Sequence, residues 1–229
     1  MPRGSGPRPL GPGGAVRRWR NRRRLAAAFE RPGDADGRTL PIRRTGRGIW
    51  VATPIRVLEA AVAVLSAEGL LPGGAGGARP VPAPVIDAGS GDGRVLAVIA
   101  WLVPGQTVLG VEHDEVLHAR AASHLRALGA AGVIEPAHLR LAAADYCDPA
   151  TYAACGIALP RARLVLNYPD GNQHRLARFV AANCGPGTTL GLLTHDRDLT
   201  VDALPLRGCH EVRDRRGPPW RLSLYRRAG

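Results

Sequence analysis

Beyond residue 83, short apolar runs alternate with longer segments in which apolar positions recur at helical spacing. The short runs predict strands, at 84–87, 107–111, 138–142, 164–166 and 188–193. The longer segments predict helices, at 92–103, 114–129 and 172–183. Strands and helices that alternate in this way are typical of a parallel, doubly wound sheet. Two more predicted strands, at 208–216 and 219–226, indicate a hairpin at its end.

A further helix is predicted before the first of these strands. Thr53-Pro54 is a favourable helix start, with a hydroxyl N-cap and a proline in the first helical position. The apolar positions that follow share one helix face: Ile55, Leu58, Val62 and Leu65. Gly69 and Pro72 end this helix, and a loop rich in glycine, alanine and proline leads on to Pro84.

Charge is concentrated at the N-terminus. The formal net charge is +12, and the first 50 residues hold 13 arginines against three acids. We therefore divide the chain into a basic arm at 1–48, largely disordered, and a folded domain at 49–229. Residues 1–14 are rich in proline and glycine, whereas 15–31 could form a basic helix. Such a helix could bind nucleic acid, acidic lipid or an acidic protein surface, or remain solvated and frayed.

The most informative motif follows the first predicted strand and reads Asp87-Ala88-Gly89-Ser90-Gly91-Asp92-Gly93-Arg94. Its glycines allow a tight turn and the close approach of a ligand to the backbone. Asp87 cannot serve a pyrophosphate, but it can hold the amides of the loop and favours a cationic ligand. A dinucleotide fingerprint needs a glycine where Arg94 stands, which disfavours a NAD-dependent oxidoreductase. The spacing D-x-G-x-G-x-G is instead typical of S-adenosylmethionine sites.

Two later strands also end in acids. Glu112 follows the strand at 107–111 and can accept hydrogen bonds from both ribose hydroxyls, or act as an acid at a helix N-terminus. Asp145 follows the third strand and can accept a hydrogen bond from an adenine amino group, or cap the next short helix. Tyr146 can pack on the purine face.

These three strand-end acids resemble, in order and spacing, the motifs of class I S-adenosylmethionine-dependent methyltransferases. The resemblance covers about residues 50–226 and is firmest at 84–145. It implies an α/β fold with a doubly wound, mostly parallel seven-stranded sheet and a C-terminal antiparallel hairpin, preceded by a basic arm that is disordered or partly helical. It also implies S-adenosyl-L-methionine as the cofactor.

A finer resemblance involves Ile49-Trp50-Val51-Ala52-Thr53-Pro54 together with the glycine loop. Both are similar to the protein-lysine methyltransferases that act on the c-subunit of ATP synthase, and more distantly to Dot1-like enzymes. In those families the Thr-Pro segment lies over the cofactor, which implies that Trp50 and Thr53 border the pocket. The predicted cofactor residues are Thr53, Asp87, Ala88, Gly89, Ser90, Gly91, Gly93, Glu112, His113, Asp145 and Tyr146.

The fourth strand is followed by Asn167-Tyr168-Pro169-Asp170-Gly171-Asn172, which we call the acceptor loop. Class I folds place the methyl acceptor at this position. Amine-methylating members often carry Asn or Asp, two prolines and an aromatic residue, an order from which this loop departs. We predict that Asn167 and Asp170 face the acceptor and that Tyr168 shapes its slot; a plain turn is the alternative. His174 and His195 are either proton acceptors or surface and helix residues.

Our leading hypothesis for function is N-methylation of a macromolecular amine such as a protein lysine. The alternative acceptor is a tRNA or rRNA base, with the arginine-rich arm contacting phosphates. A partial likeness of the acceptor loop, His174 and Thr194-His195-Asp196 to tRNA guanine-N7 methyltransferases bears on this alternative. A hypothesis of another class is a non-catalytic nucleic-acid-binding protein on a methyltransferase fold, which the intact glycine loop disfavours.

The cysteines and the lengths of the apolar runs bear on metal binding and on the cellular compartment of the protein. The four cysteines, Cys147, Cys155, Cys184 and Cys209, form no C-x-x-C pair, so we expect no zinc or other metal site and a reducing cytoplasm. The longest apolar run, 95–103, is far short of the roughly 20 residues of a membrane span. We therefore expect a cytoplasmic protein.

Overall fold

The computed structural model of the protein describes residues 12–29, 42–46, 48–72, 83–196, 199–213 and 219–228. The α-helices among them are α1 (Pro12–Phe29), α2 (Ile55–Ala67), α3 (Arg94–Leu102), α4 (Glu115–Ala130), α5 (Pro149–Ala154) and α6 (Gln173–Asn183). The strands are β1 (Ile42–Thr45), β2 (Gly48–Val51), β3 (Val85–Ala88), β4 (Val108–Glu112), β5 (Leu139–Ala143), β6 (Leu164–Asn167), β7 (Thr189–Thr194), β8 (Leu206–Val212) and β9 (Trp220–Arg226).

Seven strands form one sheet in the order β5-β4-β3-β6-β7-β9-β8. The first five in this order are parallel, whereas β9 pairs antiparallel with β7 and β8 pairs antiparallel with β9. The chain runs outward from β3 to β5 and then returns to β6 on the other side of β3. Open α/β sheets bind ligands at such a switch point, beyond the carboxyl ends of the strands. The predicted doubly wound sheet with its C-terminal antiparallel hairpin is confirmed.

Alternate residues of the central strands face two hydrophobic cores. Val85 and Leu164 belong to the core that includes side chains of α1, α2, α3 and α4. Ile86 and Val165 belong to the core that includes side chains of α5 and α6. Because successive side chains of a strand point to opposite faces, helices on both sides bury every residue of β3. This explains why the central strands read as continuous apolar runs.

The predicted strands and helices from residue 84 onward are all present, with ends that differ by a few residues. The hairpin strand predicted to end at 216 ends at Val212, and residues 214–218 lie outside the described part. The predicted loop at 72–84 also lies largely outside it. No helix of the described residues is both long and apolar enough to cross a membrane.

The N-terminal region contains more regular structure than the sequence indicated. The basic helix predicted at 15–31 is present as α1, and it buries Leu25 and Phe29 in the core beside α3 and α4. Residues 1–11 and 30–41, which belong to the predicted arm, lie outside the described residues. A hairpin of β1 and β2 was not predicted at all. The division at 48/49 into an arm and a domain stays a prediction.

The start of α2 differs from the prediction. Thr53 was expected to be the N-cap and Pro54 the first helical residue, but Pro54 is the N-cap and no side chain caps the helix. Thr53 lies one position too early, in the segment that joins β2 to α2, where it is buried. The apolar stripe of α2 is confirmed, since Ile55, Leu58, Val62 and Leu65 are all buried.

Candidate functional site

The loop between β3 and α3 depends on its glycines. Gly89, Gly91 and Gly93 have φ angles of 80°, 55° and 85°, a conformation that residues with a side chain rarely adopt. At Gly91 there is also no room for a side chain, because the indole Nε1 of Trp50 occupies the place of a Cβ. At Gly93 a Cβ would lie 2.9 Å from that of Ala121. The loop therefore turns tightly from β3 into α3 and keeps its backbone accessible to a close neighbour.

Asp87 is a buried acid at the end of β3, with 3% of its surface exposed. Its Oδ2 forms no hydrogen bond with any described residue. Burial, and then the carboxylates of Glu112 and Asp92, raise the pKa of Asp87 to about 8. An uncompensated buried carboxyl is costly, and a cation beside it would stabilise its charged form. The end of β3 is therefore suited to a positively charged ligand.

Glu112 holds the glycine loop in place from the neighbouring strand. Its Oε2 accepts a hydrogen bond from the amide of Gly91 at 2.7 Å, and its Oε1 accepts one from the amide of Asp114 at 2.8 Å. Burial raises the pKa of Glu112, although these amides oppose the shift. We predicted that Asp87 could hold the amides of the loop, but the carboxylate that does so is that of Glu112. Each of its oxygens retains a lone pair for a further donor.

The end of β5 forms the next wall of the site. Asp145 accepts hydrogen bonds from the amide of Cys147 at 2.8 Å and from the guanidinium of Arg175 at 2.6 Å. Tyr146 is 7% exposed, and its ring lies 3.7 Å from the place of a Cβ on Gly89. The aromatic ring of Tyr146 therefore borders the glycine loop, and its packing on the purine face of a ligand stays a prediction.

The acceptor loop is tied to β5 through one hydrogen bond. The hydroxyl of Tyr146 donates to Oδ2 of Asp170 at 2.8 Å, and the amide of Asn172 donates to Oδ1 of Asp170 at 2.9 Å. Burial and the Asp170 carboxylate raise the pKa of Tyr146, so its hydroxyl stays protonated and remains a donor. Both oxygens of Asp170 are thus fixed in direction.

Asn167 lies at the end of β6 and is 3% exposed. Its Nδ2 donates to the carbonyl of Ala88 at 2.6 Å, which joins β6 to β3, and its Oδ1 forms no hydrogen bond with any described residue. Tyr168 follows, and its ring packs edge-on against Trp220 with centroids 5.9 Å apart. Burial raises the pKa of Tyr168.

Two adjacent cavities lie over these strand ends. The outer cleft is partly open to solvent and has both polar and apolar lining residues. It is lined by Thr45, Ile49, Trp50, Val51, Gly89, Glu112, His113, Asp145, Tyr146, Tyr168, Asp170, Asn172 and Arg175. The inner cavity is largely apolar. Its polar lining comes from Thr53, Asp87, Asn167 and Tyr168.

The predicted site residues are thus brought together, but not all in one cavity. Glu112, His113, Asp145, Tyr146 and Asp170 line the outer cleft. Asp87, Thr53 and Asn167 line the inner cavity, and Tyr168 lines both. Asn167 was predicted to face the acceptor together with Asp170. In the structure it is the last residue of β6, and its side-chain Nδ2 donates to the carbonyl of Ala88 on the neighbouring strand β3. The predicted roles of these residues stay predictions.

Arg94 has a structural role that the sequence did not reveal. It is 5% exposed and forms a two-point ion pair with Asp92, with nitrogen–oxygen distances of 2.9 and 2.7 Å. Its guanidinium also donates to the carbonyl oxygens of Thr53 at 2.9 Å and Phe29 at 3.3 Å. Arg94 therefore fastens the glycine loop to α1 and to the segment before α2. No local pattern signals contacts with residues 41 and 65 positions away.

The two candidate histidines line neither the outer cleft nor the inner cavity. His174 is half-exposed, with its Nδ1 3.6 Å from a carboxylate oxygen of Asp202. His195 packs on Trp220 at a centroid distance of 3.7 Å, and burial lowers its pKa. A lowered pKa keeps His195 neutral at pH 7 and able to accept a proton. Within the described part of the chain, no group of His, Cys, Asp and Glu is placed to hold a metal ion.

Neither a family model nor a curated protein matches this chain. Solved structures do share its fold. The rRNA methyltransferase aviRa from Streptomyces viridochromogenes has a TM-score of 0.54 at 18% identity, over 86% of this chain and 94% of that one. A mutant of MtNAS in complex with S-adenosylmethionine has a TM-score of 0.55 at 11% identity, over 90% and 72%.

The mitomycin 7-O-methyltransferase MmcR has a TM-score of 0.52 at 15% identity, over 76% of this chain and 54% of that chain. Identities this low show the fold alone. The fold is the class I methyltransferase fold that the sequence predicted. The finer resemblance to lysine methyltransferases finds no support among these neighbours.

Proposed function

We propose that this protein is an S-adenosylmethionine-dependent methyltransferase that transfers a methyl group to a nitrogen of a macromolecule. The observation that carries the proposal is the buried Oδ2 of Asp87, which has no hydrogen-bond partner among the described residues and lies beside a loop of three left-handed glycines. A nucleotide phosphate would oppose ionisation of this carboxyl, whereas an α-ammonium group would stabilise its charged form. The comparison with a fold that binds S-adenosylmethionine in MtNAS supports the same ligand.

The protein's own groups suggest where each part of the cofactor is held. Asp87 would bind the ammonium group, and the glycine loop would admit the chain that carries the sulfonium. Glu112 would accept the ribose hydroxyls through its remaining lone pairs. Asp145 and Tyr146 would contact the adenine. When bound, S-adenosylmethionine supplies an electrophilic methyl group, and the protein has only to align the acceptor and exclude water.

The acceptor loop supports attack by an amine. Asp170 faces the outer cleft, and its carboxylate is held by Tyr146 and by the amide of Asn172. A carboxylate fixed in this way can orient an amine and take its proton. Tyr168 lies between the two cavities and would shape the passage between cofactor and acceptor. His195 is a second proton acceptor close to this strand end.

Two acceptor classes remain candidates. A protein lysine is favoured by the resemblance of residues 49–54 to lysine methyltransferases. An RNA base is favoured by the likeness to the rRNA methyltransferase aviRa and by the six arginines of α1. A methyl-transfer reaction with tritiated cofactor in cell lysate distinguishes them. We expect nuclease to release the label if RNA is the acceptor and protease to release it if lysine is.

Calorimetric titration with S-adenosylhomocysteine tests the cofactor directly. We expect micromolar binding that Asp87→Ala abolishes and that Asp202→Asn leaves unchanged. Asp202 is the matched control because it is an acid with 86% of its side chain exposed. Binding of NAD with no heat from S-adenosylhomocysteine would remove the proposal.

A further inference from the structure

The N-terminal helix presents a strongly basic surface. α1 has the sequence Pro12–Phe29 and contains six arginines and no acid. Arg17, Arg20 and Arg23 are exposed, and together with Trp19 they form what we call the basic face. Arg18 is also exposed, but it lies on the side of the helix that carries Leu25, with its guanidinium 5.9 Å from the centre of the Trp101 ring of α3. None of the three arginines of the basic face forms an ion pair with a carboxylate of the described residues. Their charge is therefore available to a partner.

Two other arginines of α1 attach the helix to the rest of the domain. Arg22 pairs with Glu59 of α2 at 2.9 Å, and Arg24 donates to the carbonyl of Ala131 at the end of α4 at 2.8 Å. These contacts dock the helix on the domain. Arg17, Arg20 and Arg23 form no hydrogen bond or ion pair with a described residue of another element.

Trp19 is exposed in the middle of this charge. It is 55% exposed, and the guanidinium of Arg23 lies 5.0 Å from the centre of its ring. A large aromatic residue beside unpaired arginines is the combination with which proteins stack bases and contact phosphates in single-stranded nucleic acid. The guanidinium holds the ring on the surface and leaves much of it accessible.

The opposite side of α1 disfavours a membrane as the partner. A helix that lies on a lipid surface inserts an apolar face between the headgroups. The apolar side chains Leu25 and Phe29 are already buried in the protein core. Among the described side chains of α1, the large exposed apolar ones are Val16 and Trp19, which lie between arginines and form no continuous apolar face.

The basic face is connected to the candidate active site. The carbonyl of Phe29, the last residue of α1, accepts a hydrogen bond from Arg94 of the glycine loop. At about 1.5 Å per helical residue, Arg23 and Arg17 lie roughly 9 and 18 Å along the helix from Phe29. A polymer bound along α1 would pass close to the loop that we assign to the cofactor.

We infer that the basic face of α1 is a docking surface for single-stranded RNA. The inference deepens the RNA candidate of the proposed function, but the surface lies outside both cavities and binds RNA without cofactor. It assigns phosphate contacts to Arg17, Arg20 and Arg23 and base stacking to Trp19.

The test is fluorescence anisotropy of a labelled RNA of about 20 nucleotides, measured over a range of salt concentrations. The test variant combines Arg17→Gln, Arg20→Gln and Arg23→Gln. The control combines Arg161→Gln, Arg207→Gln and Arg226→Gln, three exposed arginines outside α1. The two variants have the same net charge, so a difference between them reports the position of the charges.

We expect the test variant to lose most of its affinity for RNA and the control to keep it. The slope of log affinity against log salt should fall by about 2 in the test variant, because each phosphate contact on a single strand contributes about 0.7. Trp19→Ala should weaken binding about tenfold without changing the slope. Circular dichroism and titration with S-adenosylhomocysteine should be unchanged in all three variants.

Equal losses in the test and control variants would overturn the inference, since only total charge would then matter. Binding of phosphatidylserine vesicles that depends on the basic face, with RNA affinity unchanged, would overturn it in favour of a lipid surface. If the unmutated protein binds RNA but does not bind S-adenosylhomocysteine, the proposed function is rejected and the inference about this surface stands.

Discussion

Replacement of Asp87 by asparagine should stabilise the protein while it destroys the cofactor site. The side chain is buried, its Oδ2 has no hydrogen-bond partner among the described residues, and Glu112 and Asp92 lie nearby. Asparagine has nearly the same shape and no charge to bury. A residue kept for binding a cation is therefore expected to cost stability when the cation is absent.

The magnitude follows from the pKa of Asp87. The carboxyl titrates near 3.8 in the unfolded chain and at about 8 in the folded protein. Between these values the folded protein holds a proton that the unfolded chain releases, so the free energy of unfolding falls by about 1.4 kcal/mol for each pH unit. At pH 7 this cost reaches at most about 4 kcal/mol. It is absent below about pH 4, where both states are protonated.

Urea unfolding of the wild type, Asp87→Asn and the control Asp202→Asn at several pH values between about 4 and 8 measures this effect. We expect Asp87→Asn to unfold with nearly wild-type free energy at the acid end and to be more stable by about 2–4 kcal/mol at pH 7. Asp202→Asn should follow the wild type throughout. If Asp87→Asn were destabilised equally at every pH, the carboxyl of Asp87 would already have partners in the folded protein. The claim that it costs stability in the absence of a cation would then be wrong.

Three further substitutions test other parts of the site. Gly91→Ala should weaken S-adenosylhomocysteine binding at least about tenfold in a calorimetric titration, because φ is +55° and there is no space for a Cβ. The control Gly105→Ala, with φ of +82° and open space around it, should leave binding unchanged. If the two variants bound S-adenosylhomocysteine equally well, the assignment of the glycine loop to the cofactor would be contradicted. Arg94→Met should lower the free energy of unfolding by about 3–5 kcal/mol, because it leaves the carboxylate of Asp92 buried without its partner; a loss below about 1 kcal/mol in urea unfolding would show that the ion pair is dispensable. Tyr146→Phe should lower kcat in a tritiated methyl-transfer assay more than it changes KM for the cofactor, because the acceptor-loop carboxylate loses one of its two donors; a change in KM alone would place the hydroxyl in cofactor binding.

Local patterns predicted the sheet because its determinants are local. β3 and β4 are short apolar runs with an acid at or next to their last residue, and both are buried along their whole length. The left-handed conformation of Gly89, Gly91 and Gly93 follows from their spacing at the turn into α3. The three strand-end acids lie where a parallel sheet must place them, at its carboxyl edge.

Other features depend on contacts between distant segments, which a single sequence does not display. The bonds from Arg94 to the carbonyls of Thr53 and Phe29 join three parts of the chain. The loop amide of Gly91 donates to Glu112 instead of Asp87, and this too depends on the pairing of β3 with β4. The hairpin of β1 and β2 was missed because its strands have only four residues each and two of the four residues of β1 are arginines.

The most direct test of the account is proton release on binding of S-adenosylhomocysteine, measured by calorimetry at pH 7 in two buffers with different heats of ionisation. Asp87 has a pKa of about 8 in the free protein, so it is mostly protonated at pH 7 and must lose its proton to pair with an ammonium group. We predict release of about one proton per molecule bound, and none from Asp87→Asn, which should bind weakly. Tight binding with no proton release, or with the same release from Asp87→Asn, would contradict the claim that this buried carboxyl receives the cofactor.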